Sequence, residues 1–234
     1  CPHHPHPAHM KIIYEDNHII VVDKAPGEIV QGDKTGDTPL VETVRQYIKE
    51  RYAKPGNVFC GVVHRLDRPV GGLVIFAKTS KALSRLNEML REGKIEKTYR
   101  ALTRTAPQPV SGRIESYITT VERTNKSYSH SQPKPGAKLS ALSYAVTGNT
   151  DRFTIVDIHL ETGRKHQIRV QMSSIGCPIR GDLKYGDKRS NPDGSISLQA
   201  YRLRFIHPVS KEPIDLTAPW PENWPSPAPD STGQ

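Results

Sequence analysis

The sequence predicts an α+β fold around a mixed, mainly antiparallel sheet, and three features carry that prediction. Short runs rich in β-branched and apolar residues recur along the chain, each bounded by turn-forming residues. Helical periodicity occurs in only a few dispersed stretches. Strands and helices do not alternate regularly, which argues against a doubly wound parallel sheet.

The elements follow in order. "KIIYEDNHIIVVDKAPG" reads as two strands joined at Asp16-Asn17, the second ended by Pro26-Gly27. "TPLVETVRQYIKERYA" reads as a helix with Thr38 as N-cap, Pro39 at its first position, and Leu40, Val44, Ile48 and Tyr52 on one face. Val62 and Val63 lead into a turn at Asp67, and Leu73 to Ala77 form a buried strand. "TSKALSRLNEMLREGK" is a second helix with an apolar stripe of Leu83, Leu86 and Leu90, a basic face of Lys78, Lys81 and Arg85, and a stop at Gly93. "KTYRALT" and "RIESYI" are further strands. Residues 123–140, polar and without periodicity, read as a long loop. "ALSYAV" and "RFTIVDIHL" pair as strands, and residues 166–176 form a helix with Ile168, Met172 and Ile175 inward. "LQAYRLRFIHP" and "IDLTAP" are the last strands, and residues 226–234 read as a disordered tail.

The length of 234 residues fits one catalytic domain, here 10–225. Residues 1–9, with His interleaved with Pro ahead of Met10, read as an expression tag. Lys and Arg number 33 against 24 Asp and Glu, a net charge of +9 spread along the chain, which favours a polyanionic partner such as RNA or DNA. No apolar stretch approaches the ~20 residues of a membrane span. Three widely separated cysteines, Cys1, Cys60 and Cys177, have no zinc-binding spacing and suit a reducing cytoplasm.

Two clusters could carry chemistry. In "GVVHRLDRPVGGLVIFAK", Asp67 lies between Arg65 and Arg68, ahead of Gly71-Gly72 and a buried strand. A nearby guanidinium favours the charged form of a carboxylate, which suits a nucleophile or base rather than a general acid. The ordinary alternative is an Asp that caps a surface turn. In "ETGRKHQIRVQM", Arg164, Lys165, His166 and Arg169 follow a turn, and on a helix Lys165 and Arg169 share a face. This is either a cation serving Asp67, an RNA contact or a basic surface helix. Tyr99 could stack on a base or sit in the core.

"HRLDRPVGGLVIFAK", "EKTYRAL", "ETGRKHQIRVQMSSIGCPIRGDLKYG" and "LRFIHP", in this order, resemble the RluA family of RNA pseudouridine synthases. The resemblance runs from about Ile12 to Trp224. It implies a cofactor-free enzyme with the pseudouridine synthase fold around an RNA-binding cleft; a cytoplasmic monomer is expected. Such an enzyme isomerises uridine within ribosomal RNA, the large subunit's first, or within tRNA. The resemblance makes Asp67 the nucleophile, Arg65 the side chain that replaces the flipped base, and Tyr99 the aromatic against the uracil with a part in proton handling. It makes Arg169 the partner of Asp67, and puts Leu73 and Ile168 in an apolar wall. His64, Arg164, His166 and Gln167 of the same motifs are expected at the substrate.

The chain carries Val70-Gly71 where many members have a hydroxyl pair such as Thr-Ser, which points to a difference in subfamily and target site. Many members also carry an S4-type RNA-binding domain before the catalytic part. Here the first strand begins almost at once, so RNA selection is expected on the catalytic domain, with the 123–140 loop a candidate. Two rivals are a non-catalytic RNA-binding protein, which would not need Asp67, Tyr99 and Arg169 together, and a metal-dependent nuclease using Asp182 and Asp187, which would need converging carboxylates and a divalent ion.

Overall fold

β1 (Lys11–Glu15) and β2 (Ile19–Lys24) form the expected hairpin, with Asp16 closing the turn by accepting from the backbone N–H groups of His18 and Ile19. The computed structural model describes residues 10–229; the proposed tag and residues 230–234 of the proposed tail lie outside them. The chain forms two compact units: one runs to Lys97 and includes Ala200–Ala218, the other comprises Thr98–Gln199 and resumes at Pro219.

In the first unit the strand order is β1-β2-β4-β10-β11. β4 is Gly71–Ala77, β10 is Leu198–Ile206 and joins this unit from Ala200, and β11 is Pro213–Thr217. A two-residue β3 (Gly61–Val62) also pairs with β4. β2 and β4 are antiparallel from Ile19↔Ala77 to Lys24↔Gly72. Every residue of Ile19–Val22 and Leu73–Ala77 is buried, so both strands read as continuous apolar runs rather than alternating ones. Each Val, Leu, Ile and Phe among them contributes about 1.5–3 kcal/mol on burial.

α1 (Leu40–Arg51) starts one residue later than the sequence predicts, with Pro39 in the N-cap place and no side-chain cap. The first helical amides have another partner: Leu40 and Val41 donate to the carbonyls of Ile29 and Val30, which makes a Thr38 cap unnecessary. Leu40, Val44 and Ile48 are buried, but Tyr52, expected on the same face, is exposed and donates its hydroxyl to Glu15. α2 (Ser80–Arg91) is capped by Thr79, whose Oγ1 accepts from Ala82 N–H, and ends before Gly93 at φ +68°. Its basic face is partly spoken for. Lys78 is bound to Glu15 and to the Asp16 carbonyl, and Arg85 donates to the Pro208 carbonyl.

In the second unit the order is β5-β9-β8-β6-β7, antiparallel throughout. β5 is Glu96–Thr103, β6 Ser111–Val121, β7 Lys126–His130, β8 Lys138–Asn149 and β9 Thr154–Leu160. The 123–140 segment is therefore not a loop: β7 lies within it, and β8 starts before it ends. Periodicity misses β7 because hydroxyls, not apolar groups, satisfy its sides. Ser127 Oγ donates to the Lys165 carbonyl, Ser129 Oγ to Ser116 Oγ, and Thr119 bonds to His130.

α3 (Gln167–Ser174) is shorter than predicted, and Ile175, expected inward, falls at its C-cap and is exposed. At the chain's far end Pro227 bridges Thr150 and Ala228 N–H donates to the Asn149 carbonyl, so residues 227 and 228 of the proposed tail are bonded.

Candidate active site

Asp67 stands on the connection from β3 to β4. Arg65 and Asp67 are exposed while Leu66 between them is buried, so the motif alternates outward and inward around an apolar plug. Val70 N–H donates to the Asp67 carbonyl at 2.9 Å, closing the turn. The Arg68 carbonyl accepts from Gly27 N–H at 2.8 Å and from Lys24 Nζ at 3.2 Å, which ties the turn to the end of β2.

Lys24 is almost wholly buried, and its ammonium also donates to the Ala25 carbonyl at 3.0 Å. Burial pushes this ammonium down to about 8, with the negative charges of Glu28 and Asp67 pulling the other way. Sequence reasoning read Lys24 only as part of a strand; a lysine in an apolar run just before Pro-Gly was the available signal.

Two glycines mount the strand. Gly72 has φ +124°, and a Cβ there would lie 2.4 Å from the Ala200 carbonyl oxygen. A Cβ on Gly71 would lie 3.0 Å from the Lys24 carbonyl, so the Val70-Gly71 departure suits this packing, Val70 filling a buried place.

Arg68 does not flank Asp67 as adjacency suggests. Its guanidinium reaches the 27–37 segment, donating to the Gly27 carbonyl, Asp33, Thr35 and Asp37 at 3.0–3.1 Å. Leu73 does not line an apolar wall: it is fully buried in a core with Ile19, Ile75, Leu203 and Phe205. His64 Nε2 accepts from Ile75 N–H at 3.0 Å, a use within the sheet rather than at a substrate.

The other motif residues belong to the second unit. Tyr99 sits on β5 opposite Ile158 of β9 and is half-buried. Arg169, on α3, donates from Nε and Nη2 to the two carboxylate oxygens of Asp182 at 2.8 and 2.9 Å, and its guanidinium lies 4.9 Å from the Tyr185 ring centroid. Asp182 was not foreseen as the anchor of Arg169. Asp187 is engaged by Arg104 and by Gly181 N–H. Both carboxylates weighed as metal ligands are thus paired with arginines.

Lys165 lies ahead of α3 and pairs with Glu122, so it does not share a helical face with the buried Arg169. His166 takes φ 56° at the N-cap, and its Nδ1 is 2.6 Å from the Tyr185 hydroxyl. That hydroxyl also accepts from Ser127 N–H, and burial raises its pKa. Gln167, expected at the substrate, is consumed by the fold. Its carbonyl accepts from Thr162 Oγ1 and Arg164 N–H, and its amide donates to the Ala141 carbonyl and Gln171 Oε1. Gln171 in turn donates to Ser116 Oγ and the Ser140 carbonyl. Arg164 Nη2 donates to the Leu139 carbonyl, and Ile168 is buried.

Comparison with known proteins agrees with the motifs. The family model for RNA pseudouridylate synthase matches residues 18–174. YhcT of Bacillus subtilis, described as an uncharacterized RNA pseudouridine synthase, is 31% identical over 221 residues, 93% of this chain and 70% of that one. Ribosomal large subunit pseudouridine synthase D of Yersinia pestis is 32% identical over 92% of this chain and 68% of its own. tRNA pseudouridine synthase C of the same organism is 31% identical over 92% and 88%. Among solved structures, human RNA pseudouridylate synthase domain containing 4 matches with a TM-score of 0.75 at 22% identity, covering 91% of this chain and 89% of that one. Its domain containing 1 counterpart gives 0.68 at 24% identity, covering 90% and 83%. The chain belongs to the RNA pseudouridylate synthase family, as an isomerase that makes pseudouridine in RNA. Within that family it is of the RluA type.

Proposed function

We propose that this chain converts uridine to pseudouridine with Asp67 as the nucleophile, on large-subunit ribosomal RNA, with tRNA as the alternative substrate. The observation that carries the assignment is the Asp67 turn itself: an exposed carboxylate on backbone fixed by Gly27, Lys24, Val70 and the glycine mount. Positioned groups on rigid elements are what such chemistry requires.

The reaction breaks the N1–C1′ bond, forms a C5–C1′ bond, and moves a proton from C5 to N1, so it needs no outside oxidant or reductant. Asp67 either attacks C1′ of the ribose or adds to C6 of the base. The uridine first leaves its stack at a cost of a few kcal/mol, which Arg65 offsets by entering the vacated space. Tyr99 packs against the uracil and takes part in proton handling. Arg169, oriented by Asp182, serves as the cation for Asp67. The enzyme acts as a monomer in the cytoplasm, its net charge of +9 drawing in RNA.

The names of the relatives support this substrate class. They divide between ribosomal large subunit and tRNA enzymes, at 31–32% identity in both groups. The test is tritium release from RNA labelled at uridine C5. Asp67→Asn abolishes release while RNA binding persists; turnover retained in that variant refutes the nucleophile.

A further inference from the structure

β3 pairs with β4 only at Gly61↔Ala77 and Val62↔Phe76, after which the chain leaves the sheet toward Asp67. The next N–H on that edge of β4, at Ile75, would lose its acceptor where β3 stops. The His64 ring fills the place: Nε2 accepts from Ile75 N–H at 3.0 Å. Ile75 is fully buried, so no solvent could substitute.

This contact fixes the protonation state. A nitrogen that accepts carries no proton, so the imidazole is neutral with its proton on Nδ1. Burial, with the Lys97 charge adding, pushes His64 down to about 3, which keeps the accepting nitrogen free over the whole physiological range. Nδ1 is sealed from solvent and, among the described residues, has no hydrogen-bond partner, so the ring is held by its single bond to β4 and by packing.

His64 lies three residues before Asp67, and the turn between them is tied on its other side by Lys24 and Gly27 to the end of β2. The backbone that carries Asp67 is therefore tied to two strands, on the His64 side through a side-chain acceptor. We propose that His64 is a positioning residue for Asp67, acting as a surrogate strand carbonyl that pins the start of the turn to β4. The inference rests on the reading of Asp67 as the nucleophile.

The test compares two variants of nearly equal shape. His64→Gln keeps a side-chain oxygen that can accept from Ile75 N–H; His64→Met leaves in its place only a thioether, a weak acceptor. Single-turnover rates on saturating RNA, RNA affinity by filter binding and melting temperature are measured for both, with Asp67→Asn in parallel. His64→Met slows the chemical step by about 10–100-fold, the penalty of a misplaced reacting group, while RNA affinity stays within about twofold. His64→Gln recovers most of the rate. Equal rates in the two variants, whether both wild-type or both slow, overturn the proposal, as does a loss that appears in RNA affinity alone. Turnover by Asp67→Asn would instead defeat the nucleophile assignment, leaving the two failures distinct.

Discussion

Replacing Lys24 by Met tests the buried ammonium behind the Asp67 turn. In the folded chain burial holds this group down to about 8, against 10.5 when it is free. Between those values the unfolded chain binds the proton and the folded chain does not, so unfolding free energy rises with pH. The shift corresponds to a penalty of about 3 kcal/mol at neutral pH, of which about 2 kcal/mol is relieved between pH 8 and pH 10. Cys60, Tyr14 and Tyr47 drift the other way: burial carries each to about 12, so the folded chain retains protons that the unfolded chain loses. These contributions are common to wild type and variant and cancel in the difference. Urea unfolding of both proteins at half-unit steps from pH 7 to pH 10 supplies the measurement. Wild type gains about 2 kcal/mol on Lys24→Met across the upper two units. Curves that run parallel would refute the buried-ammonium argument, because no differential proton would then be attached to this residue.

The Arg169–Asp182 pair is almost wholly buried and bidentate, so Asp182→Asn, which takes the charged carboxylate away from the guanidinium, costs about 3–5 kcal/mol in denaturant unfolding, with a fall in turnover as Arg169 loses its orientation. Arg68→Ala removes the side-chain bonds to Asp33, Thr35 and Asp37. These pairs are half-exposed and screened by solvent, so stability changes little, while limited proteolysis cuts the 31–37 segment faster than in wild type.

Much of the fold is legible in the sequence because burial leaves a periodic trace. The β1–β2 hairpin, β4, the α2 stripe and the β8–β9 pair follow directly from runs of apolar residues and the turns between them. β7 is invisible to that method, since polar side chains, chiefly hydroxyls, make its contacts and its one-letter pattern is that of a loop. The N-terminus of α1 is misplaced because a local rule assigns the cap to Thr38, while the amides are met by the distant carbonyls of Ile29 and Val30. At the candidate site the identity of Asp67 comes from motif spacing. The sequence cannot show that Arg68 turns to the 27–37 segment, that Leu73 faces the core, or that Gln167 spends every hydrogen bond internally, because each depends on side-chain direction. Nor does spacing reveal that Asp182 anchors Arg169.

The glutamine pair of α3 has a consequence for assembly. Arg164 N–H, Gln167, Gln171 and Ser116 form a chain of directed bonds, joined by Ser129 from β7. An apolar helix face could settle on a sheet in several neighbouring placements of similar energy. Here a slip by one residue, about 1.5 Å along the axis and 100° around it, would separate both amides from their acceptors at once. The network thus works as a key cut for a single seating of α3, and the same seating carries Arg169 to Asp182.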